Sequence, residues 1–208
     1  MKIAANQKAN TAAPTTDRGR KTRRKLLDAA TREFGEKGFH AASVSSITRS
    51  ADVALGTFYT YFTSKEAIFK ALVRDFSDGV RVAAAEGMSK NLGALDREQA
   101  ATAGFLGFAR THKEIYRIID EAEFVDPDSY RAHYESTAKR ILTRLEAGVA
   151  SGDLRDGVGE AHAWAVMGMN VFLGLRYAVW AQDADDSAAV AGTARDILAR
   201  GLSASAAQ

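Results

Sequence analysis

The stretch SVSSITRSADVALGTFYTYFTSKE, residues 43–66, decides the fold. Ser43 is placed to cap a short helix running through Ser50, and Val44 and Ile47 share the face that such a helix would bury. Ala51-Asp52-Val53 leaves room only for a tight connection. A second short helix follows from about Ala54 to Tyr61. Phe58 and Phe62 lie four apart and face a small core, which leaves Thr57, Tyr59, Thr60 and Tyr61 on other faces. Two short helices joined by a tight turn are the minimum needed to lay one helix in a DNA major groove while the other braces it. Hydroxyls suit phosphate oxygens, and small residues let a helix approach base edges closely. Thr63 and Glu66 have capping-box spacing and open a further helix. Lys65 sits in its first turn, where free N–H groups and the helix dipole also favour an anion.

Outward from this stretch the pattern stays helical. Before it, Asp17 reads as the N-cap of a helix whose apolar face is Leu26, Leu27, Ala30 and Phe34, with Gly38 as its stop. Residues 1–16 cannot bury enough apolar area to offset ordering entropy and read as a disordered tail. After it, Ala67, Ile68, Leu72 and Phe76 mark a helix reaching about Ala85, and Gly87 to Leu95 reads as a loop. Helices are then expected over 96–111, 113–123, 127–150, 158–182 and 185–203, with Asp126-Pro127 opening the third of these. No stretch alternates like a strand, and 40 Ala against two Pro favour helix throughout. The fold class is all-α with about nine helices. The expected organisation is a helix-turn-helix unit over 17–63, a connecting helix over 64–85 and a larger helical domain over 86–208.

The net charge of +2 hides a division. Residues 1–74 hold 14 basic and six acidic residues, a balance of +8, while residues 75–208 hold 14 and 20, a balance of −6. A small basic part beside a larger acidic one calls for an anionic partner for the first. With no Cys there is no disulfide, thiolate metal site or Cys nucleophile. The longest uncharged apolar run, Ala161 to Leu175, is 15 residues and short for a membrane span, and the first 25 residues carry no apolar signal-peptide core. A cytoplasmic protein without a membrane partner is expected. The four histidines are scattered, no Glu precedes a His by three, and no His-Glu-x-x-His, Gly-x-Ser-x-Gly or Walker A pattern occurs. These absences point away from an enzyme, and no cofactor or metal is called for.

These residues resemble the TetR family of one-component transcriptional regulators. The resemblance rests on Phe34-x-x-x-Gly38-Phe39, on Ser43-Val44-x-x-Ile47, and on Ala51-x-Val53-x-x-Gly56-Thr57-Phe58-Tyr59-x-Tyr61-Phe62-x-Ser64-Lys65-Glu66, and it covers about residues 17–75. It implies that Thr57, Tyr59, Tyr61, Lys65, Ser43 and Ser45 contact phosphates. By the same resemblance Ala54, Leu55, Gly56 and Thr60 lie nearest the bases, and Arg18, Arg20 and Lys21 with Arg23, Arg24 and Lys25 supply a basic arm. Asp52 stands where the family often has Gly, so it must take a conformation easy for Gly, and it brings a negative charge near the DNA face.

The second half reads as a sensor and a dimer surface. The helix expected over 158–182 is apolar almost all round, with Trp164, Val166, Met167, Val171, Phe172 and Leu175 among its residues, so it must be covered on every side. One side can face its own domain and the other a second copy. In the resembling family the last two helices of each subunit form the dimer interface, which assigns Val171, Leu175, Val179, Ile197 and Leu198 to that surface. A twofold dimer reads two half-sites of a pseudo-palindrome. Phe105, Phe108, His112, Tyr116 and Ile119, with Tyr130, Tyr134, Trp164, Met167 and Phe172, are the expected lining of a pocket. Arg176, inside the apolar helix, calls for Glu121 or Glu123 as a partner, or for an anionic ligand. The expected protein is a homodimeric DNA-binding regulator, a repressor released from operator DNA by a small apolar or amphipathic effector, an anionic one where Arg176 serves as its partner. Two alternatives stay open: a larger domain that only dimerises or binds a protein, and a helical enzyme or carrier with a vestigial DNA-binding fold.

Overall fold

The computed structural model describes residues 14–88, 92–181 and 187–204. Among them the chain forms α1 (Asp17–Ala41), α2 (Val44–Ser50), α3 (Leu55–Tyr61), α4 (Lys65–Glu86), α5 (Ala94–Thr111), α6 (Glu114–Val125), α7 (Pro127–Ala150), α8 (Glu160–Gly174) and α9 (Ser187–Leu202). All but the last three residues of the expected N-terminal tail, and the start of the last expected helix, lie outside the described residues.

At the starts of α1 and α4 the capping residue is the neighbour of the one read from the sequence. Thr16, not Asp17, caps α1 by accepting from the Gly19 amide at 3.1 Å. Ser64, not Thr63, caps α4 by accepting from the Ala67 amide at 3.2 Å. In both places two adjacent residues are competent caps, and the pattern does not choose between them. Gly38 has φ 81° and interrupts α1, and the chain makes one more turn before Ala42. A side chain is strained at that φ and would also meet the Glu121 carboxylate and the Arg117 guanidinium at under 3 Å. The helix expected over 158–182 ends as an α-helix at Gly174 and continues as a π-helical turn, Leu175–Val179, closed by the Trp180 amide donating to the Leu175 carbonyl at 3.0 Å.

The first core joins α1, α2 and α3 to α4 and α6. Phe34, Ile47, Phe58, Ile68, Phe69 and Leu72 are fully buried in it, and Ile115, Ile118 and Ile119 of α6 close it from the far side. Phe34, Phe39 and Phe69 meet with ring centroids 5.0–5.7 Å apart; the two contacts with Phe69 are edge-on, an arrangement that adds about 0.5–1.5 kcal/mol per pair beyond area burial. The second core lies among α7, α8 and α9 around Ile141, Leu145, Val166 and Leu202. Gly104 lets α5 run against the backbone of α4, since a β-carbon there would lie 2.1 Å from the Ala83 carbonyl oxygen.

The helix-turn-helix unit is tied to the larger domain by more than α4. From α6, Glu121 accepts from the Phe39 amide at 2.7 Å, and Arg117 donates to the Gly35 and Glu36 carbonyls at 3.1 and 3.0 Å. Arg24 of α1 pairs with Asp75 of α4 at 2.6 Å. The C-terminal end of α1 is therefore clamped from α6 at its kink, where a cation also favours the exposed carbonyls.

Candidate nucleic-acid interface and effector cavity

Ser43 accepts from the Ser46 amide at 3.0 Å, and Ser46 returns the bond to the Ser43 amide at 3.1 Å. This reciprocal cap fixes the start of α2. The turn is closed by the Val53 amide donating to the Thr48 carbonyl at 3.1 Å. Asp52 takes φ 54° there, the left-handed conformation expected of it. α3 then presents one face outward. Ala54, Leu55, Gly56, Tyr59 and Thr60 are exposed and Thr57 is half-buried, while Phe58 and Phe62 anchor the opposite face in the core. Nothing in the chain lies within 4 Å of a β-carbon built on Gly56, so packing does not demand a glycine there. Its bare backbone leaves that spot of α3 open to close approach from outside. Ser43 and Ser45 are exposed at the start of α2, near the same surface in the chain.

Three assigned residues sit differently from expectation. The Lys65 ammonium donates to the carbonyls of Phe39 at 2.7 Å, Ala42 at 2.9 Å and His40 at 3.4 Å, and lies 4.3 Å from the Phe39 ring centroid. Its three donors are thus occupied by the end of α1, not held out for a phosphate. Tyr61 is half-buried against the first core, with its hydroxyl near Gly19 of α1. Arg24 is spent on Asp28 and Asp75. In the expected basic arm, Arg18 and Lys21 are exposed, and Arg20 pairs with Asp17 on the surface.

In the larger domain the pocket residues divide. Phe105, Tyr134, Met167 and Val171 line a cavity of about 60 Å³ between α4, α5, α7 and α8, and Phe105, Tyr116, Ile119 and Tyr134 line a neighbouring one of about 40 Å³. Tyr116 donates to the Val171 carbonyl at 2.7 Å, and burial pushes its phenol well above its usual range. Tyr130, Trp164 and Phe172 instead line an open groove between α7 and α8. Phe172, 71% exposed, lines this groove and neither of the two cavities, while Val171, assigned to the dimer surface, faces the cavities. Adjacent residues on a helix that is apolar all round cannot be sorted into faces by periodicity. Phe108 packs against Gly79 and Phe76, and the exposed His112 ring lies tilted with its centroid 4.5 Å from that of Phe108; neither is among the residues lining these two cavities. Arg176 is exposed on the π-helical turn, 5.0 Å from the Tyr177 ring centroid, and lines no cavity. Glu121, offered as its partner, serves α1 instead.

The sequence reading missed His133, Arg140 and Arg144 of α7, which line the larger cavity. Ser77 gives its hydroxyl proton to the Val73 carbonyl at 2.8 Å and lies 2.7 Å from Nδ1 of His133, which makes that nitrogen the donor. Burial, with Arg140 adding to it, pushes the His133 imidazole down to about 4, so it is neutral near pH 7. Arg144 forms a two-pronged pair with the buried Glu98 of α5 at 2.5 and 2.9 Å. Thr102 of α5 donates to Asn170 of α8 at 3.0 Å. Among the described residues no cluster of potential metal ligands occurs, and no helix is long and apolar enough to cross a membrane.

The family model for "Bacterial regulatory proteins, tetR family" matches residues 26–72. The HTH-type transcriptional regulator YdgC of Bacillus subtilis is 48% identical over 64 residues, 31% of this chain, and the chain spans 33% of that relative's length. YhgD of the same organism, also an HTH-type transcriptional regulator, is 25% identical over 152 residues, 71% of this chain and 80% of its own. Among solved structures, Salmonella enterica GusR superposes with a TM-score of 0.73 at 22% identity, covering 89% of this chain and 97% of its own. Bacillus subtilis FadR, solved in complex with stearoyl-CoA, superposes with a TM-score of 0.75 at 18% identity, covering 86% and 98%. The matched segment coincides with the helices that build the exposed α3 face, and the fold likeness extends over both cores. The helix-turn-helix segment of this chain is therefore similar to that of the tetR family of bacterial regulatory proteins, and the described residues take the same fold as these solved structures.

Proposed function

We propose that the protein acts as a homodimeric repressor that binds a pseudo-palindromic operator through paired α3 helices and is released by a small apolar or amphipathic effector. The observation that carries this reading is an exposed apolar strip along the last elements of the chain. Phe172 is 71% exposed, Trp180 64% and Ile197 59%, with Trp164 at 41% and Leu175, Val179 and Leu198 partly open. Large apolar side chains left this exposed on the last helices call for a covering partner. A second copy meets the need and pairs two reading helices.

On this reading Ala54, Leu55, Gly56 and Thr60 face base edges, and Ser43, Ser45, Thr57 and Tyr59 with Arg18 and Lys21 face phosphates. Tyr61 and Lys65 hold the reading unit together from behind. The effector occupies the cavities lined by Phe105, Tyr116, Tyr134 and Met167. The ligand held by FadR supports the idea that this fold houses an amphipathic molecule. Occupancy moves α4 and α6, and both grip α1, so the two α3 helices change separation and the operator is lost.

Sedimentation at micromolar concentration tests the dimer. The chain is expected to sediment at twice its own mass, and Phe172→Glu combined with Trp180→Glu to sediment as a monomer with unchanged helix content. A wild-type monomer contradicts the paired reading of DNA.

A further inference from the structure

Outside the larger cavity, between α4 and α7, lies an open vestibule of about 530 Å³. Four cations line it, Arg81 of α4 and Lys139, Arg140 and Arg144 of α7, and among the described residues no carboxylate does. Arg144 is neutralised by Glu98. Arg81 meets Asp78 only at 3.4 Å across an exposed contact, which is worth little. Lys139 and Arg140 have no carboxylate within ion-pair distance among the described residues, and the Arg140 side chain bonds the Thr137 hydroxyl at 2.8 Å. The vestibule and the 60 Å³ cavity share Arg81, Ala84, Arg140 and Arg144, so the cationic mouth opens onto an apolar interior walled by Phe105, Ile141, Met167 and Val171.

We propose that this mouth is the head-group site of the effector, and that the effector is an amphiphile with a phosphate-bearing head and a single unbranched hydrocarbon tail. The proposal rests on the effector reading above and names its ligand class. Two or three uncompensated cations at one opening match the charge of a phosphate better than that of one carboxylate. Burial first, and then Arg81 and Arg144, lower the affinity of Arg140 for its proton, so an anion there relieves a cost already present in the empty site. The small volume of this interior, about 60 Å³, favours a slender methylene chain over a bulky ring system. Phe105, Ile141, Met167 and Val171 then hold the tail, while the polar His133, Thr137 and Asn170 on the same lining are already hydrogen-bonded within the chain. The anion site therefore lies at the α4–α7 mouth and not at Arg176.

The test is calorimetric titration of the full-length protein with dodecyl phosphate, dodecanoate, dodecanol and inorganic phosphate, each below its aggregation limit. Dodecyl phosphate is expected to bind at least tenfold more tightly than dodecanoate or dodecanol, and more weakly as salt rises. Arg140→Gln and Arg81→Gln are each expected to cost it about tenfold while leaving dodecanol unchanged. Equal binding of dodecanoate and dodecyl phosphate overturns the phosphate head. Equal binding of dodecanol, or indifference to both substitutions, overturns the head-group site while the effector cavity stands. Inorganic phosphate binding as tightly as dodecyl phosphate overturns the amphiphile. If no chain compound binds although DNA binding and dimerisation persist, the proposal fails without touching the DNA-binding reading.

Discussion

Lys65 illustrates how much a single position depends on its neighbours. Its place in the first turn of α4 makes it look like a phosphate ligand, yet its ammonium closes the end of α1 on the Phe39 and Ala42 carbonyls. Lys65→Met is expected to lower the free energy of unfolding by about 1–3 kcal/mol, since it strands buried or half-buried carbonyls. It should weaken DNA binding through loss of order while leaving the slope of affinity against salt unchanged. Denaturant unfolding and a salt series check both, and a slope smaller by about one would restore Lys65 to the phosphates. Asp52 was legible through the resemblance: it stands where the family often has Gly, and it takes the left-handed φ of 54°. The caps were legible only to within a residue, because Thr16 stands beside Asp17 and Ser64 beside Thr63.

At the scale of elements, eight helices follow the periodicity closely, and the π-helical turn does not. An i→i+5 turn adds a residue, so a face extrapolated at 3.6 residues per turn slips there, and Arg176 leaves the interior assigned to it. α7 hid its contribution for another reason. His133, Arg140 and Arg144 fall in no motif, and only packing against α4 and α5 gives His133 and Arg144 their partners. That packing sets a pH dependence. Unfolded His133 takes a proton near pH 6.5, whereas in the fold it does so only at about 4. Between these values the unfolded chain binds the extra proton, so acidification from pH 6.5 towards 4 removes stability, by at most about 3 kcal/mol. Denaturant midpoints at pH 7.5 and 5 are expected to differ less in His133→Gln than in the wild type. An equal fall in both would place the acid sensitivity elsewhere.

Over the whole molecule, the charge division marks the reading unit but not a mechanical boundary. The first core runs from α1 through α4 into α6, and Arg117 and Glu121 of α6 clamp the kink at Gly38. Two elements, α4 and α6, thus connect the cavities with the helix-turn-helix unit, and periodicity suggests only the first. The α6 route depends on contacts between residues more than 80 positions apart, which local patterns do not encode. The exposed strip of Phe172, Trp180 and Ile197 carries the remaining claim, that two chains read DNA together. Selection of bound duplexes from a random-sequence pool by the full-length protein tests it most directly. The account predicts enrichment of an inverted repeat, two half-sites at one fixed spacing. Enrichment of a single unrepeated site or a direct repeat, or none at all, would contradict it.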